Sequence, residues 1–296
     1  MFDRNNEEKA IELTLFSVSG LTVVILFLIC IFLFRDSLLL FKDTSLIDFL
    51  TGKFWYPTSI PGQFGLLPLF LGSLLVTAGA IVFSVPLGIA CAIYISEIAH
   101  PKVADLMKPF IEILAGIPSV VFGFFGLIIL VPFIQKNFNL PTGQTALTGS
   151  IMLGIMALPT IITISEDAIS SVPSAIKHGS LALGATKWQT IYKVIVPAAI
   201  SGISAAVMLG MGRAIGETMT LMMVTGNSAI IPAFPGSFLD PVRTMTATIA
   251  LEMGEVPQGS THFHALFAVG TVLFIITFLI NLIADWIKTR YSFKVD

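Results

Sequence analysis

Six long apolar stretches, separated by shorter polar segments, dominate the pattern along this chain. A helix needs about 20 apolar residues to cross the hydrocarbon core of a bilayer, where each backbone polar group must be satisfied within the segment. The sequence therefore predicts an all-α, polytopic membrane protein with about six transmembrane helices. The predicted spans are 13–34, 68–95, 113–134, 147–164, 197–224 and 265–284. Pro118 and Pro132 predict an irregular third span.

The basic residues between these spans are unevenly distributed. Of the 16 Lys and Arg residues, ten lie in the N-terminus, the second loop, the fourth loop or the C-terminus, and five lie in the remaining loops. Cytoplasmic loops carry such an excess. We therefore expect the termini, 1–12 and 288–296, and the loop 165–196 to be cytoplasmic. The loops 35–67 and 225–264 are expected outside, the latter with a short helix at 242–253.

Composition supports a membrane protein and excludes several other classes. The chain is 55% hydrophobic and 11% charged, whereas a soluble domain carries about 25% charged residues. A net charge of −2 gives no reason to expect a nucleic-acid partner. Cys30 and Cys91 both lie in apolar runs, where they act as small hydrophobes. The first apolar run is longer than the core of a signal peptide, so we interpret it as a retained span.

The loop 165–196 has an amphipathic pattern of its own. Gly184 divides it into two short predicted helices. Beyond the glycine, an apolar stripe recurs at i, i+3, i+4 and i+7, formed by Trp188, Ile191, Tyr192 and Ile195. This pattern fits either a connector that lies on the membrane surface or a helix that docks a partner, and spacing alone does not decide between them.

The residues of this loop resemble the coupling motif of bacterial ABC importer permeases, E-A-A-x3-G-x9-I-x-L-P. Gly184 and Pro197 match it, Val194 and Val196 are conservative replacements, and Gly179 and Ser180 stand for the two alanines, while His178 replaces the glutamate. In that family the loop inserts into the ATPase subunit. The resemblance assigns ATPase coupling to His178, Gly179, Ser180, Leu181, Ala182, Leu183, Gly184, Ala185, Thr186, Trp188 and Pro197.

Further motifs are similar to the PstC-type permeases of bacterial phosphate importers. These are the segments 72–77, 116–123, 212–218, 240–244 and 249–252. The resemblance implies a MetI-like, type I permease domain over 68–287 in the bacterial inner membrane. It also implies phosphate as substrate and three partners: a second homologous permease, an ATPase dimer and an extracytoplasmic phosphate-binding protein.

The fifth predicted span contains two charges, Arg213 and Glu217. A charge at this depth is costly and is expected to face protein or water. The two residues are four apart, close enough on a continuous helix to pair, and Gly212 and Gly216 would let a neighbouring helix approach. One interpretation is a structural ion pair that fixes helix registry. The other is a transient anion site, in which Arg213 binds phosphate and Glu217 holds the guanidinium between transport events.

Other residue patterns argue against ATP binding, a metal site and enzymatic activity in this chain. The chain has no G-x-x-x-x-G-K-[ST] loop, so ATP would be bound by a partner subunit, and we expect neither a cofactor nor enzymatic activity in this chain. His262 and His264 have no further ligands nearby, so a metal site is not expected. Glu166 and Asp167 are interpreted as solvated flanking charges. The alternatives that remain are a sulfate or molybdate permease and an ion-coupled secondary transporter; a polytopic enzyme lacks a convincing nucleophile.

Overall fold

The computed structural model describes residues 4–233 and 236–291; the ends of the two predicted cytoplasmic termini, 1–3 and 292–296, lie outside the described residues. The N-terminal half begins with a helix, a short external segment and a long second helix. Its elements are α1 Arg4–Leu40, α2 Leu46–Thr51, β1 Trp55–Tyr56, β2 Gln63–Phe64, α3 Leu67–Ile93 with a π-helical turn at Tyr94–Ile98, α4 Pro101–Gly116, α5 Ser119–Phe125 with a π-helical turn at Gly126–Leu130, and α6 Val131–Phe138.

The C-terminal half contains the central helix, the segment around Gly184 and the last span. Its elements are α7 Ala146–Ser170, α8 Ser174–Ala182, α9 Lys187–Thr190 followed by a π-helical turn at Ile191–Ile195, α10 Val196–Ala198, α11 Ile200–Gly216, α12 Met219–Val224, a 3-10 turn at Gly236–Leu239, α13 Met245–Glu252 and α14 Thr261–Tyr291. The helix predicted at 242–253 is thus α13.

The predicted helical membrane architecture is confirmed. Among the described residues, five helices are long and apolar enough to cross a membrane, and a sixth span is obtained if 187–198 and 200–216, which meet at 68°, count as one broken span. The five are Ile11–Leu40, Leu67–Ile98, Ser119–Phe138, Ala146–Ser170 and Thr261–Ile283. The loop predicted at 35–67 is more ordered than expected, because it holds the end of α1, α2 and the antiparallel pair β1–β2.

Helix α7 forms the centre of the fold. It packs most extensively against α3 and next against α11, and it is the most buried of the candidate spans. Helix α1 is peripheral: it packs along α14, and the most apolar part of it is fully outward-facing. A bilayer covers exposed apolar surface of this kind, so we expect lipid or a partner helix to contact α1.

Two predicted spans are interrupted in the structure. The third was predicted as one helix over 113–134, but α4 ends at Gly116, Ile117 and Pro118 are extended, and the span begins at Ser119. The residue before a proline is disfavoured in the helical region, which explains the break. The fifth, predicted over 197–224, ends its main helix at Gly216 and resumes at Met219.

A close backbone contact joins the membrane part to the outer segment that precedes α13. A Cβ atom on Gly72 would lie 2.4 Å from the carbonyl oxygen of Arg243, so only glycine fits there without a shift. The next residue, Ser73, accepts a hydrogen bond from the Met245 backbone N–H at 2.9 Å. The first two residues of the segment 72–77 therefore fix the outer loop to α3.

Candidate functional site

The helix that carries Arg213 ends before Glu217. Glu217 follows the last residue of α11 and has an extended backbone, with φ −69° and ψ 130°. Its carboxylate oxygen Oε1 accepts a hydrogen bond from the Thr220 backbone N–H at 3.1 Å, at the start of α12. Its backbone carbonyl accepts one from the Thr246 hydroxyl at 2.8 Å. Glu217 therefore stabilises the start of α12, because the first N–H groups of a helix have no partner within the helix.

The predicted proximity of Arg213 and Glu217 on one helical face is wrong. Within residues 4–233 and 236–291, no carboxylate lies within salt-bridge distance of the Arg213 guanidinium. Its hydrogen-bond partner is the Thr160 hydroxyl of α7, at 3.4 Å from Nη1. The physical reason is the helix break: Glu217 ends α11, and its carboxylate binds the Thr220 N–H at the start of α12 and not the Arg213 guanidinium.

Arg213 lies at the edge of a face of α11 that the described residues leave open. The neighbouring positions Ile203, Ala206 and Ala214 are buried and pack towards α7, which also supplies the Thr160 partner of Arg213. Built Cβ atoms on Gly212 and Gly216 would meet nothing within 4 Å. The close helix contact expected at these glycines is therefore not made by the part of the chain that the structure describes.

The two interrupted spans meet close to their breaks. The Thr220 hydroxyl of α12 donates a hydrogen bond to the Ser119 backbone carbonyl at the start of α5, at 2.8 Å. Gly123 of α5 packs directly against α12, since a Cβ there would lie 2.7 Å from the Met223 sulfur. The break at Ile117–Pro118 is thus linked to the break at Glu217–Thr218 by packing and by one hydrogen bond.

The segment 174–197 is organised as the glycine pattern predicts. Gly184 has φ +87°, a conformation that side-chain-bearing residues rarely adopt, and it separates α8 from α9. Helix α9 starts with a capping box, in which the Thr186 hydroxyl accepts from the Gln189 N–H and the Gln189 side chain accepts from the Thr186 N–H. We call residues 174–190 the coupling segment.

The coupling segment presents apolar side chains to the outside of the molecule. Leu183 is 90% exposed and Trp188 is 60% exposed, and Leu181 is also exposed. The predicted stripe is split: Trp188 and Tyr192 point outward, whereas Ile191 and Ile195 are buried against the ends of α3 and α7. The π-helical turn at Ile191–Ile195 shifts the periodicity, which the i, i+3, i+4, i+7 pattern did not include.

The remaining predicted coupling residues fall on the same surface. Those exposed to solvent or to a partner are His178, Gly179, Ala182, Gly184, Thr186 and Pro197, while Ser180 and Ala185 are half-buried. The Ser180 hydroxyl lies 3.0 Å from the Thr190 hydroxyl, so the two short helices are also joined by a side-chain contact.

The outer side carries a carboxylate network that the sequence did not predict. Glu252 is contacted by the Arg243 guanidinium at 2.6 Å, by His262 Nε2 at 2.8 Å and by the Trp55 indole N–H at 3.1 Å. We call these four residues the outer network. They line a cleft of about 640 Å³ between the β1–β2 segment and the outer loop. In the described part of the chain no group of three or more His, Cys, Asp or Glu side chains has a geometry suited to a metal ion.

The helix ends next to the coupling segment hold a second set of charges, which the sequence did not predict. Glu166 is buried, contrary to its interpretation as a solvated flanking charge, and it pairs with Lys108 of α4 at 3.1 Å. Glu97 pairs with Lys177 of α8. These partners are far apart in sequence, so no local pattern could have revealed them.

Comparison with known sequences identifies a matching family and similar proteins. The family described as "binding-protein-dependent transport system inner membrane component" matches residues 84–296. The probable ABC transporter permease protein YqgH of Bacillus subtilis is 44% identical over 251 residues, covering 85% of this chain and 80% of that protein. The phosphate transport system permease protein PstC of Mesorhizobium japonicum is 36% identical over 262 residues, covering 82% of this chain and 78% of that protein.

Solved structures of the same architecture also match. A chain from a bacterial alginate ABC transporter, in complex with an alginate pentasaccharide-bound periplasmic protein, has a TM-score of 0.64 at 16% identity and covers 96% of this chain and 97% of that chain. A chain from the inward-facing MetNI methionine ABC transporter has a TM-score of 0.59 at 20% identity, with coverages of 77% and 97%. At these identities the likeness concerns the fold, and it confirms the predicted MetI-like permease architecture.

Proposed function

The chain belongs to the family of binding-protein-dependent transport system inner membrane components, the multi-pass permeases of ABC importers, and on that premise we propose that it conducts inorganic phosphate. Its relatives include proteins named as phosphate transport permeases, which favours phosphate over sulfate or molybdate. An ABC importer draws its energy from a separate ATPase, so the ion-coupled carrier considered from the sequence is not needed to explain the charges in the fifth span.

The main support for an anion substrate is Arg213. Moving a free anion into hydrocarbon costs tens of kcal/mol, so a pathway must offer donors that replace water. A guanidinium matches the oxygens of phosphate with two parallel N–H donors. Along α11, at a rise of about 1.5 Å per residue, Arg213 lies about 20 Å beyond Ile200. It lies in the last turn of α11, before the break at Glu217, and it is exposed and without a carboxylate partner among the described residues.

The open face of α11 is proposed to line the pathway opposite a second, homologous permease. The bare surfaces at Gly212 and Gly216 leave room for a backbone to approach or for an ion to pass. Because Arg213 is not enclosed by this chain, an anion there would keep part of its hydration, and its binding would be weak enough for release. Glu217 contributes by capping α12 and is not a counter-ion in this conformation.

The coupling segment is proposed to dock the ATPase in the cytoplasm. Its exposed leucines and Trp188 form an apolar surface that protein could cover, and the positive φ at Gly184 fixes the angle between its two helices. The spans alternate in direction, so this location also puts both termini in the cytoplasm. The outer network and its cleft then face the extracytoplasmic phosphate-binding protein.

Phosphate uptake by the reconstituted importer tests the proposal. The chain would be assembled in liposomes with its second permease, ATPase and phosphate-binding protein. We expect labelled phosphate to accumulate with ATP and unlabelled phosphate, but not sulfate or molybdate, to compete. Arg213→Lys should lower uptake about tenfold, because the lysine keeps the charge and loses the paired donors. Arg35→Lys, at an exposed arginine of α1, is the matched control and should leave uptake unchanged.

Two results would overturn parts of this proposal. Full uptake by Arg213→Lys would argue against bidentate recognition at this residue. Equal competition by sulfate would reassign the substrate to another oxyanion while leaving the ABC permease function intact.

A further inference from the structure

A continuous line of polar side chains connects the coupling segment to α4. Lys177 of α8 pairs with Glu97 at the end of α3, and the Ser96 hydroxyl lies 3.5 Å from the same carboxylate. The Ser96 and Ser170 hydroxyls are 3.2 Å apart, and because Ser170 donates its proton to Glu166, Ser96 is the donor between the two serines and only contacts Glu97. Ser170 donates to Glu166 at 2.6 Å, and Glu166 pairs with Lys108 at 3.1 Å. We call these six residues the cytoplasmic polar chain.

The two carboxylates of this chain are shielded from water. The Glu97 and Glu166 side chains are 12% and 8% exposed, whereas Lys108 is 48% exposed. A carboxylate that is shielded from water and loses its partner raises the free energy of the protein. A movement of one of these helices without the next is therefore unfavourable. The elements that the chain joins are therefore held in fixed register: α8, the π-helical turn after α3, the end of α7, and α4.

Helix α4 leads from this chain to the breaks within the membrane. Within the structure it has no buried residue, and it contacts α7 and the π-helical turn after α3. Its last residue, Gly116, is followed by the extended Ile117 and Pro118 and then by α5. Helix α5 is hydrogen-bonded to α12 through Thr220 and Ser119, next to Glu217. A displacement of α4 would therefore act on the break at Glu217–Thr218, at the end of the helix that carries Arg213.

We propose that the cytoplasmic polar chain transmits the displacement of the coupling segment to α4 and the break at Ile117–Pro118. Glu97 and Glu166 are positioning residues in this proposal: they contact neither substrate nor nucleotide, and they keep four elements moving as one. The inference rests on the proposed function, since it requires an ATPase that moves the coupling segment. It adds a second route beside the direct continuation of the coupling segment into α10 and α11.

Two double variants at the Glu97–Lys177 pair test the proposal. The readout is phosphate transported per ATP hydrolysed by the reconstituted importer, together with the thermal stability of the assembled complex. Glu97→Gln combined with Lys177→Met removes both charges and leaves no unpaired charge. Glu97→Lys combined with Lys177→Glu reverses the pair and keeps the link.

The proposal predicts different outcomes for these two variants. The neutral double should remain stable yet transport about tenfold less phosphate per ATP, and the reversed pair should regain most of the wild-type ratio. A pair with a purely structural role would be satisfied by either double. A wild-type ratio for the neutral double would therefore overturn the proposal.

Lys108, at the other end of the cytoplasmic polar chain, provides a second test, in which glutamine can still donate a hydrogen bond to Glu166. Lys108→Gln should lower the transport-to-ATP ratio, whereas Lys102→Gln, on the first turn of the same helix and exposed, should not. Equal ratios for the two variants would contradict the proposed route through α4. If the wild-type complex itself transports no phosphate, the proposed function fails; if it transports phosphate and all variants match it, only the polar chain fails.

Discussion

Carboxylates that are buried or largely buried lie at both ends of this permease, but their partners are arranged differently. On the outer side, Glu252 gathers three donors at one point: Arg243, His262 and Trp55. On the side of the coupling segment, Glu97 and Glu166 lie along a line of six residues that crosses four elements. The outer arrangement holds several segments together at one residue, whereas the inner one connects successive helices.

The two ends also differ in whether their apolar side chains are packed inside the protein or exposed. The outer network ties the β1–β2 segment to α13 and α14, above a packed cluster that contains Phe49, Met245 and Leu266. The inner face shields the carboxylates Glu97 and Glu166 but leaves Leu183 and Trp188 exposed. Substitutions on the outer side should therefore change stability, whereas substitutions on the inner side should change the link between ATP hydrolysis and transport.

The largest effect is expected from Glu252→Ala. Removing this carboxylate leaves Arg243, His262 and the Trp55 indole N–H without their common acceptor, which should cost about 3 kcal/mol. We expect a lower melting temperature and proteolysis at the β1–β2 segment, with an unchanged transport-to-ATP ratio in the protein that remains folded. Glu255→Ala, at an exposed carboxylate on the same loop, is the control and should be neutral. Wild-type stability for Glu252→Ala would remove the distinction between the two ends.

A smaller effect is expected from Gly184→Ala in the coupling segment. No atom lies within 4 Å of a Cβ at Gly184 or at Gly179, so the two positions differ only in backbone conformation. The left-handed φ at Gly184 should make alanine there cost about 1 kcal/mol, while Gly179→Ala lies inside α8 and should be neutral or stabilising. It also restores the alanine of the coupling motif.

The quantity to measure for these two variants is the binding of the ATPase to the membrane-embedded permease. Weaker binding for Gly184→Ala with unchanged binding for Gly179→Ala is the expected result. Equal binding by both would show that the angle between α8 and α9 does not govern docking.

The features that the sequence predicted are those with a local cause. The spans follow from the lengths of apolar runs, and the break at Gly184 follows from a glycine between two short amphipathic patterns. The break at Glu217 was missed because it depends on distant partners: Thr220 binds Ser119, and Thr246 binds the Glu217 carbonyl. The burial of Glu166 likewise depends on Lys108, which belongs to another helix.

The break in the third span, in contrast, has a local cause in the sequence. Pro118 predicted an irregular third span, and the rule that the residue before a proline avoids helical geometry would have placed the break at Ile117. With that break in place, α4 is an amphipathic helix with exposed Leu106, Phe110 and Ile113, and not the first part of a span.

The accessibility of Leu183 tests the central claim that the cytoplasmic ATPase acts through the coupling segment. Leu183→Cys would be introduced with Cys30→Ser and Cys91→Ser, and a membrane-impermeant maleimide would be applied to membrane vesicles of either orientation. The account predicts labelling in inside-out vesicles that lack the ATPase, protection when the ATPase is bound, and no labelling in right-side-out vesicles. Labelling from the outer side, or labelling unaffected by bound ATPase, would contradict it.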